Sequence, residues 1–157
     1  MNWFLFWLFL HITAAVIAFG PIFVFPLIGT MAARSPQHGG FAIELNERIE
    51  MRLVLPLAST MLISGAGLIW TANINFFRTP YLIVAVVLYL AAMGIATGVQ
   101  LPTTRKMLGL VESGDPAALV QLPPLVSRAQ RFGVALTVLF LVIIFLMIIQ
   151  PGGITPR

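Results

Sequence analysis

The sequence predicts an all-α polytopic membrane protein, a bundle of four transmembrane helices with both termini on the outer side. Three observations predict it. The 157 residues are 59% hydrophobic and only 9% charged, with a mean hydropathy of +1.00, whereas soluble domains carry about a quarter charged residues. Four apolar runs, 3–30, 53–72, 81–101 and 132–149, fit the roughly 20 residues that a spanning helix needs. The basic residues fall unevenly among the connections. The whole chain, 1–157, reads as a single integral membrane domain. The apolar runs must be helical, because lipid offers the backbone no hydrogen-bond partners.

The first run begins Met1-Asn2-Trp3-Phe4, without the basic start of a secretory signal peptide. It continues past Ala14-Ala15 and Ala18 to Phe25, so it reads as a retained first helix. Pro21 and Pro26 each remove an internal hydrogen bond, which predicts a break near Gly20-Pro21 and resumption toward Arg34. Ser35 to Gly40 reads as a turn. From Phe41 to Arg52 an amphipathic stretch leads into the second span, with Glu44 and Arg48 as an i,i+4 pair. Ile43, Ile49 and Leu53 are expected toward the membrane, with Glu44, Glu47 and Glu50 on a solvated face. Pro56 falls in the first turns of that span, where a missing N–H is tolerated. After the third span, Asp115 caps a short helix with Pro116 at its first position, and Pro123-Pro124 stops it. Leu125 to Arg131 then starts the fourth helix. Trp3, Trp7, Trp70 and Tyr81 fall near outer ends and fit an aromatic belt.

Orientation follows from the basic residues. The first and third connections hold Arg34, Arg48, Arg52, Arg105, Lys106, Arg128 and Arg131, while Arg78 and Arg157 alone fall on the other side. That split of seven against two puts the longer loops in the cytoplasm and both termini outside. It also accounts for the net charge of +4 without nucleic acid. Arg52, Arg105, Arg128 and Arg131 are expected to touch lipid headgroups, or the carboxylates of an anionic ligand. The expected partner is the lipid bilayer, with a homodimer or a larger membrane complex open.

No cysteine is present, which excludes disulfides, thiolate metal sites and cysteine nucleophiles. There is no Gly-rich phosphate loop, no Ser/His/Asp set, and no Glu-x-x-His pattern for a di-metal bundle site. The catalytic residues are therefore unknown. His11 stands out as the one ionisable side chain within a predicted span. It has two readings of about equal weight. It is an axial ligand to haem iron, or it bonds to a carbonyl or hydroxyl such as Ser64. Ser64-Gly65-Ala66-Gly67 lies near the same depth, and Gly65 and Gly67 either leave a pocket for a flat cofactor or let helices approach. Gly94 and Gly98 have the spacing of a packing motif. His38 falls on the opposite side from His11, so a second axial ligand would be Met61, Met93, Met147 or a residue of another chain.

Trp7-Leu8-Phe9-Leu10-His11-Ile12, with Ala14-Ala15 and then Phe19-Gly20-Pro21, resembles a bacterial family of uncharacterised predicted integral membrane proteins with four spans. More distantly, the layout is similar to HemJ-type protoporphyrinogen oxidases and to the membrane domain of CopD-type copper-resistance proteins. That likeness implies haem b held through His11, and a multi-pass protein of the bacterial inner membrane. Pro26-Leu27-Ile28-Gly29 lacks the Arg and second His that follow the first helix in HemJ-like chains. The expectations are a small membrane protein binding haem at His11, a HemJ-like porphyrinogen oxidase, or a non-catalytic accessory or assembly subunit.

Overall fold

The computed structural model describes residues 2–151, so Met1 and Arg157 lie outside the described residues. Four helices are long and apolar enough to cross a membrane. They are α1 (Trp3–Arg34), α2 (Gly39–Thr71), α3 (Pro80–Glu112) and, after a short α4 (Pro116–Leu119), α5 (Leu122–Ile149). Among the described residues there is no strand. The first residue of α1 and the last of α5 share one end of the bundle, called here the termini end. The connections 35–38 and 113–121 share the other, the loop end.

The helices begin and stop for local reasons. Asn2 caps α1, its Oδ1 accepting from the Phe4 N–H at 3.1 Å. Asp115 caps α4 as expected, its Oδ1 accepting from the Ala117 N–H at 2.9 Å. Gln150 ends α5 in the left-handed region, φ +47°. Two expectations are corrected. α1 runs unbroken through Pro21 and Pro26 to Arg34. Pro123-Pro124 do not end α4 but occupy the first turn of α5, where a missing N–H costs nothing.

Two prolines have a visible effect. A proline ring clashes with the carbonyl four residues earlier. For Pro56 that carbonyl belongs to Arg52, and for Pro102 to Gly98. Both fall inside π-helical turns, Glu50–Val54 in α2 and Ala96–Gln100 in α3. The wider turn carries one extra residue, closed by Leu55 N–H to Glu50 O and Leu101 N–H to Ala96 O. It relieves the clash without breaking the helix, and both turns lie toward the loop end.

α1 has 32 residues, about 48 Å at 1.5 Å per residue, against a hydrocarbon layer of about 30 Å. The surplus, with the first turns of α2 and the last of α3, forms an amphipathic collar. There Gly40 packs tightly, since a Cβ on it would lie 2.9 Å from Val111 Cγ1. In the apolar part the packing is inverted relative to a soluble bundle. Val16, Ile63, Val87 and Ile148 face outward, where lipid covers them. The core is narrow and rich in small residues, with Ala14, Ala18, Ala58 and Ala92 buried beside Phe19 and Phe140. The Phe19 and Phe140 rings lie 4.2 Å apart between centroids and join α1 to α5. Tyr89 joins α3 to α2, its hydroxyl donating to the Ala58 carbonyl at 2.6 Å.

Candidate functional site

Two polar loci lie inside the bundle, one near each end. The first is His11, eight residues into α1 from Trp3, about 12 Å from the termini end. Its Nδ1 lies 3.1 Å from the Met61 carbonyl and 3.1 Å from the Ser64 hydroxyl, both on α2. With Nδ1 protonated, the ring donates to the carbonyl. With Nε2 protonated, Nδ1 accepts from Ser64. In either tautomer the imidazole joins α1 to α2; in the first, the Ser64 hydroxyl donates instead to a carbonyl of its own helix, Thr60 at 2.8 Å or Met61 at 3.1 Å. Nε2 makes no hydrogen bond among the described residues. Of the two readings of His11, the one naming Ser64 corresponds to this contact.

The glycines beside it are occupied by the chain itself. A Cβ on Gly65 would lie 3.4 Å from His11 Cε1, and one on Gly67 would lie 2.4 Å from Trp7 Cδ2. Trp7 therefore sits across Gly67 rather than in a belt with the exposed Trp3 and Trp70. Haem needs a flat slot hundreds of cubic ångströms in size. At Gly67 that space holds an indole, so the interior beside His11 does not fit a haem within one chain. Met61 is buried in the core and offers His11 its carbonyl, while Met93 and Met147 pack against the same core. Gly94 and Gly98 have nothing within 4 Å of a Cβ position, so they pack against no other helix of this chain.

The second locus was not apparent in the sequence. Near the loop end a partly open cavity of about 70 Å³ is lined by Asn46 and Glu50 of α2 and Gln100 and Thr104 of α3, with Phe25 of α1 and Ala129 of α5 among its apolar walls. Glu50 is only 6% exposed, which corrects its placement on a solvated face. Its carboxylate has neither a hydrogen bond nor an ion pair among the described residues. Asn46 Oδ1 and Gln100 Oε1 are likewise buried without partners. Thr104 donates its hydroxyl to the Gln100 carbonyl at 3.1 Å. Glu50 opens one π turn and Gln100 closes the other. The signal was Asn46 and Glu50 on the face of α2 that carries Ile43, and Gln100 and Thr104 on the face of α3 that carries Met107, polar residues placed where an amphipathic helix puts its apolar stripe.

The acidic residues flanking Glu50 are each paired with an arginine. Glu44 pairs with Arg48 as expected, and Glu47 accepts from Arg105 Nε at 3.2 Å, across to α3. The basic residues read as headgroup contacts divide. Arg105 is tied to Glu47, and its Nη2 lies 3.4 Å from Met51 Sδ. Arg128 stands 6.0 Å from the centre of the Phe132 ring, and Arg52 and Arg131 are exposed. Among the described residues no three His, Cys, Asp or Glu side chains gather as a metal site. An open hollow of about 610 Å³ at the termini end, against the end of α2 and the connection that follows it, is lined by Ile69, Trp70, Asn73 and Phe76 with no ionisable side chain.

No curated protein and no solved structure matches the chain. A family model does, over residues 5–151, and the stretch around His11 that carried the sequence resemblance falls within it. With four spanning-length helices and nearly its whole length matched, the chain belongs to the family described as Predicted integral membrane protein (DUF2269).

Proposed function

We propose that this integral membrane protein is a non-catalytic bundle that acts by associating with other chains in the bilayer, as an accessory or assembly subunit. The observation that carries this reading is the use made of His11. Its Nδ1 fastens α1 to α2 through Met61 and Ser64, and Trp7 fills the niche over Gly67. An enzyme acting on a porphyrin-sized substrate needs a large enclosed site with titratable groups. The cavity near Glu50 is too small, and the open hollow near Trp70 has no acid or base in its lining.

A second reading rests on Nε2 of His11. A histidine that ligates iron through Nε2 is usually steered by a hydrogen bond from Nδ1 to a carbonyl, and Nδ1 lies at that distance from the Met61 carbonyl. Haem b would then be held between chains, in a homodimer or larger complex, with the second ligand from elsewhere. The HemJ-like oxidase is the catalytic extension of this reading.

An absorption spectrum of the detergent-purified protein, produced with ample haem and recorded before and after dithionite, separates the readings. The accessory reading expects no Soret band and co-purification with a larger membrane complex. A Soret band lost in His11→Ala, with the helical circular dichroism intact, would overturn it in favour of shared haem. Complementation of a strain lacking protoporphyrinogen oxidation would establish the enzyme.

A further inference from the structure

We infer that the cavity between the two π turns is a binding site for one small hard monovalent cation of the sodium class, held by the Glu50 carboxylate with Asn46 Oδ1 and Gln100 Oε1. The inference goes beyond the accessory reading and does not depend on it.

Three independent features meet at this cavity. The first is a buried, unpartnered acid. Glu50 is 6% exposed and lines the space, and a buried carboxylate without a hydrogen bond or an ion pair is among the most costly groups a fold can hold. The second is the set of atoms around it. Asn46 Oδ1 and Gln100 Oε1 are buried and unpartnered too, and the Thr104 hydroxyl keeps its lone pairs because its proton goes to the Gln100 carbonyl. Asn46 and Gln100 also carry NH2 donors, yet among the described residues neither amide donates to Glu50, and the oxygens left over are all acceptors. The third is the backbone. Glu50 and Gln100 are terminal residues of the two π turns, and such turns re-aim side chains and recur at functional sites.

The ligand's chemistry follows. Oxygen-only donors select hard cations. The lining carries a single formal charge, that of Glu50, with no Lys, Arg or His. A monovalent ion neutralises it, whereas a divalent ion would leave a buried net charge. The cavity of about 70 Å³ holds about two particles the size of water, which suits an ion with one water. At the rim, Glu47 and Arg105 pair and offset each other's charge.

The test is equilibrium binding of radioactive sodium to the full chain in detergent, with choline chloride holding ionic strength constant. Saturable binding approaching one ion per chain is expected, displaced by unlabelled sodium or lithium and not by choline. Glu50→Gln should weaken binding at least about tenfold, as loss of a charged partner does. Gln100→Leu should weaken it with the carboxylate still in place, and Glu44→Gln, on the exposed Arg48 pair, should leave it unchanged. Circular dichroism and gel filtration of each variant check folding. Should Glu50→Gln fail to fold, the Gln100→Leu result decides. Absence of saturable binding by the wild type would overturn the site, as would undiminished binding by a folded Glu50→Gln. A wild type that binds no sodium but shows a protonated carboxyl infrared band lost in Glu50→Gln would overturn it in favour of a proton.

Discussion

His11 and Glu50 are both ionisable side chains inside the bundle, and the two ends of the molecule treat them differently. Toward the termini end, each buried polar side chain described above has found a partner on the neighbouring helix. His11 has Met61 and Ser64, and Tyr89 has Ala58. Glycines there are filled by neighbours, Gly67 by Trp7 above all. Toward the loop end, Glu50, Asn46 and Gln100 face one another as acceptors around a small cavity, and the helices carrying them are locally unwound. A satisfied polar group in lipid locks helices together. Unsatisfied acceptors around a hole point to a missing ligand. One end is built for rigidity and the other is left incomplete.

Substitutions can break that contrast, and the largest effect is expected at the filled glycine. Gly67→Ala places a methyl 2.4 Å from a rigid indole, and should destabilise the bundle by about 2–3 kcal/mol, the upper part of the overpacking range. Unfolding in mixed micelles measures it, and adding Trp7→Ala should recover part of the loss. Strict additivity of the two changes would show that they do not touch. Next comes His11→Ala, expected to cost about 1 kcal/mol, with a coupling to Ser64→Ala near the 0.6 kcal/mol average, as for intramembrane hydrogen bonds generally. A neutral His11→Ala would remove the clasp from the account.

The contrast sharpens at Glu50. In sodium-free detergent Glu50→Gln should stabilise the fold by about 0.5–1 kcal/mol, because it removes an unpaired buried charge. A loss of stability there would mean that the carboxylate has a partner in the folded chain. The smallest effects belong to the surface and to the roomy glycine. Arg105→Ala breaks an ion pair that is half exposed on the arginine side, and should change stability by less than about 1 kcal/mol. Gly65→Ala adds a methyl at ordinary contact distance from His11, and should stay within about 0.5 kcal/mol. A large loss at Gly65 with none at Gly67 would reverse the picture of which side chain fills the niche.

Much of this fold was legible in the chain. The four spans follow from run length, because a backbone in lipid has few ways to satisfy itself. The Asp115 cap and the Glu44–Arg48 pair follow from contacts within one turn of helix. The candidate sites were less legible. His11 was singled out by being ionisable in an apolar run, and Ser64 was among its expected partners. Yet nothing local tells that Trp7 would lie over Gly67, since the two are 60 residues apart in the chain. Glu50 was misplaced because its neighbours Glu44 and Glu47 each have an arginine partner, and only the helical period separates them from it.

Sequence alone therefore determined what short range and solvent decide: spanning helices, their caps, and membrane residence, all set by the cost of an unpaired backbone or a charge in hydrocarbon. Tertiary structure alone decided which polar atoms meet. α1 is laid against α2 so that Met61 and Ser64 reach His11, and α2 against α3 so that Glu50 and Gln100 line one cavity, with no Lys, Arg or His in its lining. Helical periodicity fixes the face on which a side chain stands, but its partner depends on which helix packs there and at what depth, and that is set by the close approach of small residues along the whole bundle.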